Sequence, residues 1–159
     1  MPMGIFTHKN TPVGKPVFDK RIASAQAFLE NSAGELLIVK SGYKSYWSIP
    51  GGIVDEGETP LDTVQREVYE EVGINLSPSE YSFVIASSRR SHRGMSYQFV
   101  FRAEIGNCSA EDLSLQQSEI ERAEFVTQTM IKSNDREYGQ IVQAWADKST
   151  GYLEFESTL

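Results

Sequence analysis

From Asp55 to Glu71 the chain sets seven carboxylates (Asp55, Glu56, Glu58, Asp62, Glu67, Glu70, Glu71) around one cation, Arg66, inside the segment GIVDEGETPLDTVQREVYEEVGI of residues 52–74. Its signals nonetheless spell a helix. Thr59 suits the N-cap, Pro60 the first helical position and Asp62 the third, where a capping-box acid meets the positive end of the dipole. Gly73 is placed as a C-terminal glycine. At about 100° per residue, Leu61, Val64, Val68 and Val72 share one stripe, which predicts the core face. Glu67, Glu70 and Glu71 then gather on an adjacent arc.

Like charges at i,i+3 and i,i+4 spacing cost roughly a few tenths of a kcal/mol per pair, and acids near a helix C-terminus oppose the dipole. A hard divalent cation with oxygen ligands would reverse that sign. The plain alternative is a solvated acidic face, the usual fate of a charge run.

The pattern Gly52, then Glu58, then Arg66-Glu67-Val68-Tyr69-Glu70-Glu71-Val72-Gly73-Ile74 resembles the full Nudix box of the MutT-like hydrolases, with no departure at a defining position. The preceding Trp47-Ser48-Ile49-Pro50-Gly51 is similar to that family's approach strand. The resemblance implies a Nudix-type α/β/α sandwich with a mixed central sheet. It also implies Mg²⁺ or Mn²⁺ as cofactor, with Glu67, Glu70 and Glu71 as ligands and the Gly51 carbonyl as a further oxygen. Glu67 or Glu70 then orients or deprotonates the attacking water, while Arg66 holds the cluster through Glu58. A further carboxylate often follows the box in this family. Glu119, six residues before Phe125, takes that place, with Glu121 as the less favoured choice.

Composition narrows the partners. A chain of 159 residues can bury a core without staples and reads as one domain over 20–159 behind an irregular arm over 1–19. The formal charge of −7 makes non-specific nucleic-acid binding unfavourable. Cys108 stands alone, no signal-peptide core opens the chain, and no apolar run reaches a membrane span, so a cytoplasmic location is the expectation. The arm is rich in Pro and Gly, with a short edge strand expected at Val17 and Phe18. It could reach a second copy, which leaves a homodimer open.

Beyond the arm, strands are expected over 22–29 and 35–40 around an Asn31–Gly34 turn, over 46–49, over 81–89 and 96–104, and over 123–126. Residues 105–118 read as loop. A last helix is predicted with Ser133 as N-cap and Tyr138, Ile141, Val142 and Trp145 on its buried stripe.

For substrate contacts, Tyr46 beside Trp47 could stack on a base, and Lys40 and Arg89 are cations at strand ends within reach of phosphates. The basic stretch Arg89–Arg93 reads either as a phosphate or base clamp or, more simply, as a charged hairpin tip that discourages edge pairing. The expected activity is metal-dependent hydrolysis of a phosphoanhydride in a nucleoside diphosphate linked to another group. Three alternatives stay open: removal of pyrophosphate from RNA 5′ ends, an isomerase pairing Cys108 with a glutamate, and a sensing module that binds a nucleotide without cleaving it. The intact box speaks against the last.

Overall fold

The computed structural model describes residues 20–157, so the arm over 1–19, with the strand expected at Val17 and Phe18, lies outside the described residues. Seven strands form one mixed sheet: β1 (Ile22–Glu30), β2 (Leu36–Ser41), β3 (Gly51–Ile53), β4 (Ser82–Ser91), β5 (Gly94–Glu104), β6 (Ile120–Val126) and β7 (Gly151–Glu156). Their order is β6-β2-β1-β5-β4-β7, with β3 added against β1. The β1–β5 and β4–β7 pairs are parallel and the rest antiparallel.

Period-two alternation divides the strands between two cores. On one face Ala25, Ala27, Leu29, Leu37 and Val39 pack under Val64, Val68 and Val72 of helix α1 (Pro60–Val72). On the other, Phe28, Leu36, Ile38, Ile85 and Val100 meet α2 (Gln128–Ser133) and α3 (Gln140–Ala146) through Ile131, Ile141, Val142 and Trp145. The sheet is thus covered on both faces, as an α/β/α sandwich requires.

Helix α1 starts and stops where its sequence signals place it. The Thr59 hydroxyl accepts from the Asp62 N–H at 3.2 Å, and the Asp62 carboxylate accepts from the Thr59 N–H at 2.8 Å. Gly73 closes it at φ 75°, its N–H donating to the Tyr69 carbonyl.

Four local expectations need correction. Residues 46–49 are not a strand: Ser48 bridges Val39 and Trp47 bridges Tyr138 as isolated contacts, and the strand itself is β3, inside the box. Ser133 ends α2 instead of opening the last helix, because Asn134 adopts a left-handed φ of 56° and stops the chain there. Gly139 is the N-cap of α3, so Tyr138 precedes the helix and reaches the core through its bridge to Trp47. The chain then turns through Lys148 and Gly151, both at positive φ, into β7, an edge strand absent from the sequence reading. Smaller differences are the 3-10 turn at Ala110–Asp112 inside the expected loop and a β6 that starts three residues early, at Ile120.

Loss of either cap should be measurable in urea unfolding followed by circular dichroism. Thr59→Ala is expected to lower the unfolding free energy by about 1 kcal/mol. Gly73→Ala should cost at least as much, since an added Cβ would sit in left-handed backbone 2.8 Å from Ser114 Cβ. Neutral effects at both would mean that tertiary packing alone sets the helix ends.

Candidate active site

The acidic helix meets the sheet through two glycines. Strand β3 pairs with β1 so that Gly51 stands opposite Gln26 and Gly52 opposite Ala25. A Cβ on Gly51 would lie 2.3 Å from the Ala25 carbonyl oxygen, and one on Gly52 would lie 2.2 Å from Glu67 Oε1. At Gly51 only bare backbone fits against β1, and at Gly52 a side chain would have to displace the Glu67 carboxylate.

Glu71 is the most enclosed acid of the group, 6% exposed, and its Oε2 accepts from the Gly51 N–H at 3.0 Å. Burial pushes its carboxyl up to about 8; the Gly51 hydrogen bond and the charge of Lys44 act against this, and the charges of Glu67 and Glu119 add to it. Glu67 is also raised by burial, with Arg66 opposing.

Arg66 is the hub of the exposed side. Its Nε and Nη2 grip Glu58 Oε1 and Oε2 at 2.7 and 3.0 Å, a bidentate pair, and Nη1 reaches Glu67 at 2.8 Å and Glu70 at 3.3 Å. Thr63 Oγ1 donates a further 2.7 Å bond to Glu58. Arg66 first and Thr63 second hold the Glu58 carboxyl down to about 2. The arginine therefore fixes one face of the cluster and leaves Glu71 to the other.

The loop after the box is tied to the same helix. The Gln116 N–H donates to the Glu71 carbonyl, and the Glu119 N–H to the Gln116 carbonyl. This brings Glu119 close enough for its charge to act on both Glu67 and Glu71. Glu121 lies instead against Gly42, whose Cβ would stand 2.7 Å from Glu121 Oε1.

Among the described residues no three acidic, His or Cys side chains form a ready-made metal cage. The donor set still suits a hard cation: the charge of Glu119 raises the proton affinity of Glu67 and Glu71, Glu67 adds to that of Glu71, and a divalent ion would reverse that effect. Mg²⁺ in particular takes one or two protein carboxylates and completes its shell with water and substrate phosphate. A preformed cage is not what it needs.

On the face of the sheet opposite α1 opens a cleft of about 400 Å³, lined among others by Gln26, Lys44, Tyr46, Ser48, Arg89 and Gln98; Lys44 links it to the carboxylates, since its charge acts on Glu71. Tyr46 and Arg89, both expected as substrate contacts, are on its wall. Arg89 Nη1 donates to Gln140 Oε1 at 2.5 Å and its guanidinium stacks 5.4 Å from the Phe155 ring centroid. Lys40 is elsewhere: its ammonium donates to the backbone carbonyls of Ser41 and Lys44, capping the loop. Lys44 joins Arg89 on the cleft wall, its ammonium destabilised by burial and supported by Glu71.

Trp47, next to the cleft, is clamped. Arg122 and Arg136 lie 5.4 and 5.1 Å from its ring centroid, and Glu124 bonds both guanidinium groups at 2.7 and 2.8 Å. Sequence reading missed Gln26, Lys44, Ser48 and Gln98. For Gln26 a signal exists, since Ser24 and Gln26 put polar side chains on the strand face that Phe28 continues into the core.

A model of the NUDIX domain matches residues 20–144. The chain is 44% identical over 52 residues to an RNA pyrophosphohydrolase of Psychrobacter sp., a match that covers 33% of this chain and 30% of that protein. The chain thus spans less than a third of the length of that curated relative. Among solved structures, a MutT protein from Methanosarcina mazei superposes with a TM-score of 0.67 at 22% identity, over 83% of this chain and 95% of that one. The NUDIX domain of Shewanella oneidensis NrtR, solved with ADP ribose, does so with a TM-score of 0.65 at 16% identity, over 82% and 88%. At such identities the two structures speak for the fold, and the match across residues 20–144 places this chain in the NUDIX domain family.

Proposed function

We propose that this protein is a metal-dependent pyrophosphohydrolase that cleaves the phosphoanhydride of a nucleoside diphosphate linked to a second group. The observation that carries the reading is that Glu67 lies against Gly52 and Glu71 binds Gly51 while the charge of Glu119 acts on both, with Arg66 bonded to Glu58, Glu67 and Glu70 on the outer side. A structural acidic patch would have its charges paired or solvated. Here Glu71 is buried and opposed by the charges of Glu67 and Glu119, with one backbone N–H and the charge of Lys44 in compensation.

In this reading Glu67, Glu70 and Glu71 hold Mg²⁺ or Mn²⁺, joined by the Gly51 carbonyl and, from the following loop, Glu119. The bound ion would neutralise phosphate oxygens as the leaving group departs. The chain's own residues do the rest. Glu67 or Glu70 orients the attacking water and takes its proton. Arg66, held at both nitrogens by Glu58, keeps Glu67 in place, and its loss would act through position rather than contact. Glu71 anchors Gly51, which keeps the strand at its close approach. Lys44, whose charge acts on Glu71, and Arg89 both line the cleft.

Activity on RNA 5′ ends draws less support. The basic stretch that would bind a polynucleotide is engaged internally, Arg89 with Gln140 and Arg90 with Glu156 at 3.6 Å. A pure sensing role fits poorly with a complete carboxylate set.

Two outcomes test the proposal. With Mg²⁺ present, Glu70→Gln and Glu71→Gln should each lower kcat by about 100-fold or more, the scale at which loss of a catalytic group or charge stabiliser registers; turnover near that of the unaltered protein would rule out the metal assignment. In a thermal melt after chelation, adding Mn²⁺ or Mg²⁺ should raise Tm through preferential binding to the folded chain. Glu71→Gln should abolish most of that rise.

A further inference from the structure

Strand β1 carries an amide where its face turns from core to cleft. Gln26 Oε1 is buried and has no hydrogen-bond partner among the described residues, and the same holds for the hydroxyl of Ser48, which is only 7% exposed. Both residues line the cleft. Buried polar atoms left in this way oppose folding, so two in one wall mark a surface shaped to receive complementary groups.

The remaining lining narrows the chemistry. Gln98 Oε1 already accepts from Ser87 Oγ at 3.0 Å, so its amide adds chiefly the Nε2 donor. Tyr138 spends its hydroxyl on Asp135 at 2.8 Å and contributes ring surface. The Tyr46 ring is held against Gly139, where a Cβ would stand 3.1 Å from Cδ2. The guanidinium of Arg89 is committed to Gln140 and Phe155. Glu137 and Glu156 line the rim. With Lys44 and Arg89 balanced by Glu137 and Glu156, the lining carries no formal net charge and sets amides between aromatic walls. It suits a flat heterocycle and not a second polyphosphate.

Register fixes which end of a ligand lies here. Gln26 stands directly opposite Gly51, whose N–H binds Glu71. A nucleotide with its phosphates at the carboxylates and its base in the cleft would lie across this β1–β3 pair, with Gln26 on the cleft side.

We propose that the cleft holds the base of the nucleotide and that Gln26 reads an amino-bearing edge, adenine being the base whose donor and acceptor match a carboxamide in bidentate fashion. The placement of the phosphates rests on the pyrophosphohydrolase reading above; the selection of the base rests on the cleft itself. The Gln26 oxygen accepts from the exocyclic amine, the amide nitrogen donates to the neighbouring ring nitrogen, and Tyr46 and Tyr138 border the ring. A cleft of about 400 Å³ lies within the usual range for a small-molecule site.

The test compares AMP with purine riboside 5′-monophosphate, which keeps the ring nitrogens and lacks the amine, by calorimetric titration without metal. AMP should bind about 5- to 10-fold more tightly, the worth of one hydrogen bond. Gln26→Leu should bring that ratio below about two, with folding checked by thermal melt; if it does not fold, Gln26→Met takes its place. Equal binding of the two ligands by the unaltered protein, or a preference kept in the variant, would overturn the assignment. Turnover of ADP ribose with Mg²⁺ separates this proposal from the one it rests on. Base selectivity without turnover sinks the catalytic reading alone, and turnover without selectivity sinks only the role of Gln26.

Discussion

Two adjacent residues without side chains decide whether the acidic helix and the sheet can touch. At Gly51 and Gly52 the backbone lies within what would be clashing distance of β1 on one side and of Glu67 on the other. With any larger residue at Gly51 the strand would stand off from β1 and its N–H would lose Glu71, leaving the buried carboxylate only the charge of Lys44; at Gly52 a side chain would displace the Glu67 carboxylate. Packing and electrostatics therefore hang on one steric condition.

Around that contact the charges are divided by position. Arg66 gathers Glu58, Glu67 and Glu70 on the solvent side, where a bidentate pair and the Thr63 hydroxyl give Glu58 fixed geometry. Glu71 faces inward. Such an arrangement is poor for stability, because the charges of Glu67 and Glu119 act on a buried Glu71; a bound cation would reverse that sign. Structures tolerate that sort of local conflict at sites of function.

What could be read from sequence was local and strongly marked. The capping box at Thr59 and Asp62, the terminal Gly73 and the valine stripe all act within a few residues, so α1 was legible to its ends. Ser133 misled because a serine followed by an apolar stripe looks like a helix start; Asn134 in left-handed backbone makes it an end instead. Strand β7 was missed because its alternation, with Leu153 and Phe155 inward, is short and acquires meaning only beside β4. The same limit applied to the site. Glu119 and the carboxylates follow from a spaced motif, whereas Gln26, Ser48 and Gln98 converge only through the register of β1 and β5 and the bridge from Ser48 to Val39. Nothing in a linear pattern announces that three uncharged side chains share a wall.

The clamp on Trp47 has a consequence for any molecule that enters beside it. Backbone bonds tie the flanking segment on two sides, from Trp47 to Glu137 and Gly139 and from Ser48 to Val39, while stacked arginines hold the indole. Tyr46 and Ser48 thus stand on a strap with little conformational freedom to surrender. Entry of a ligand would leave the ordering entropy of that wall almost unchanged, so affinity there is set by the fit of the guest instead of by the work of assembling its host.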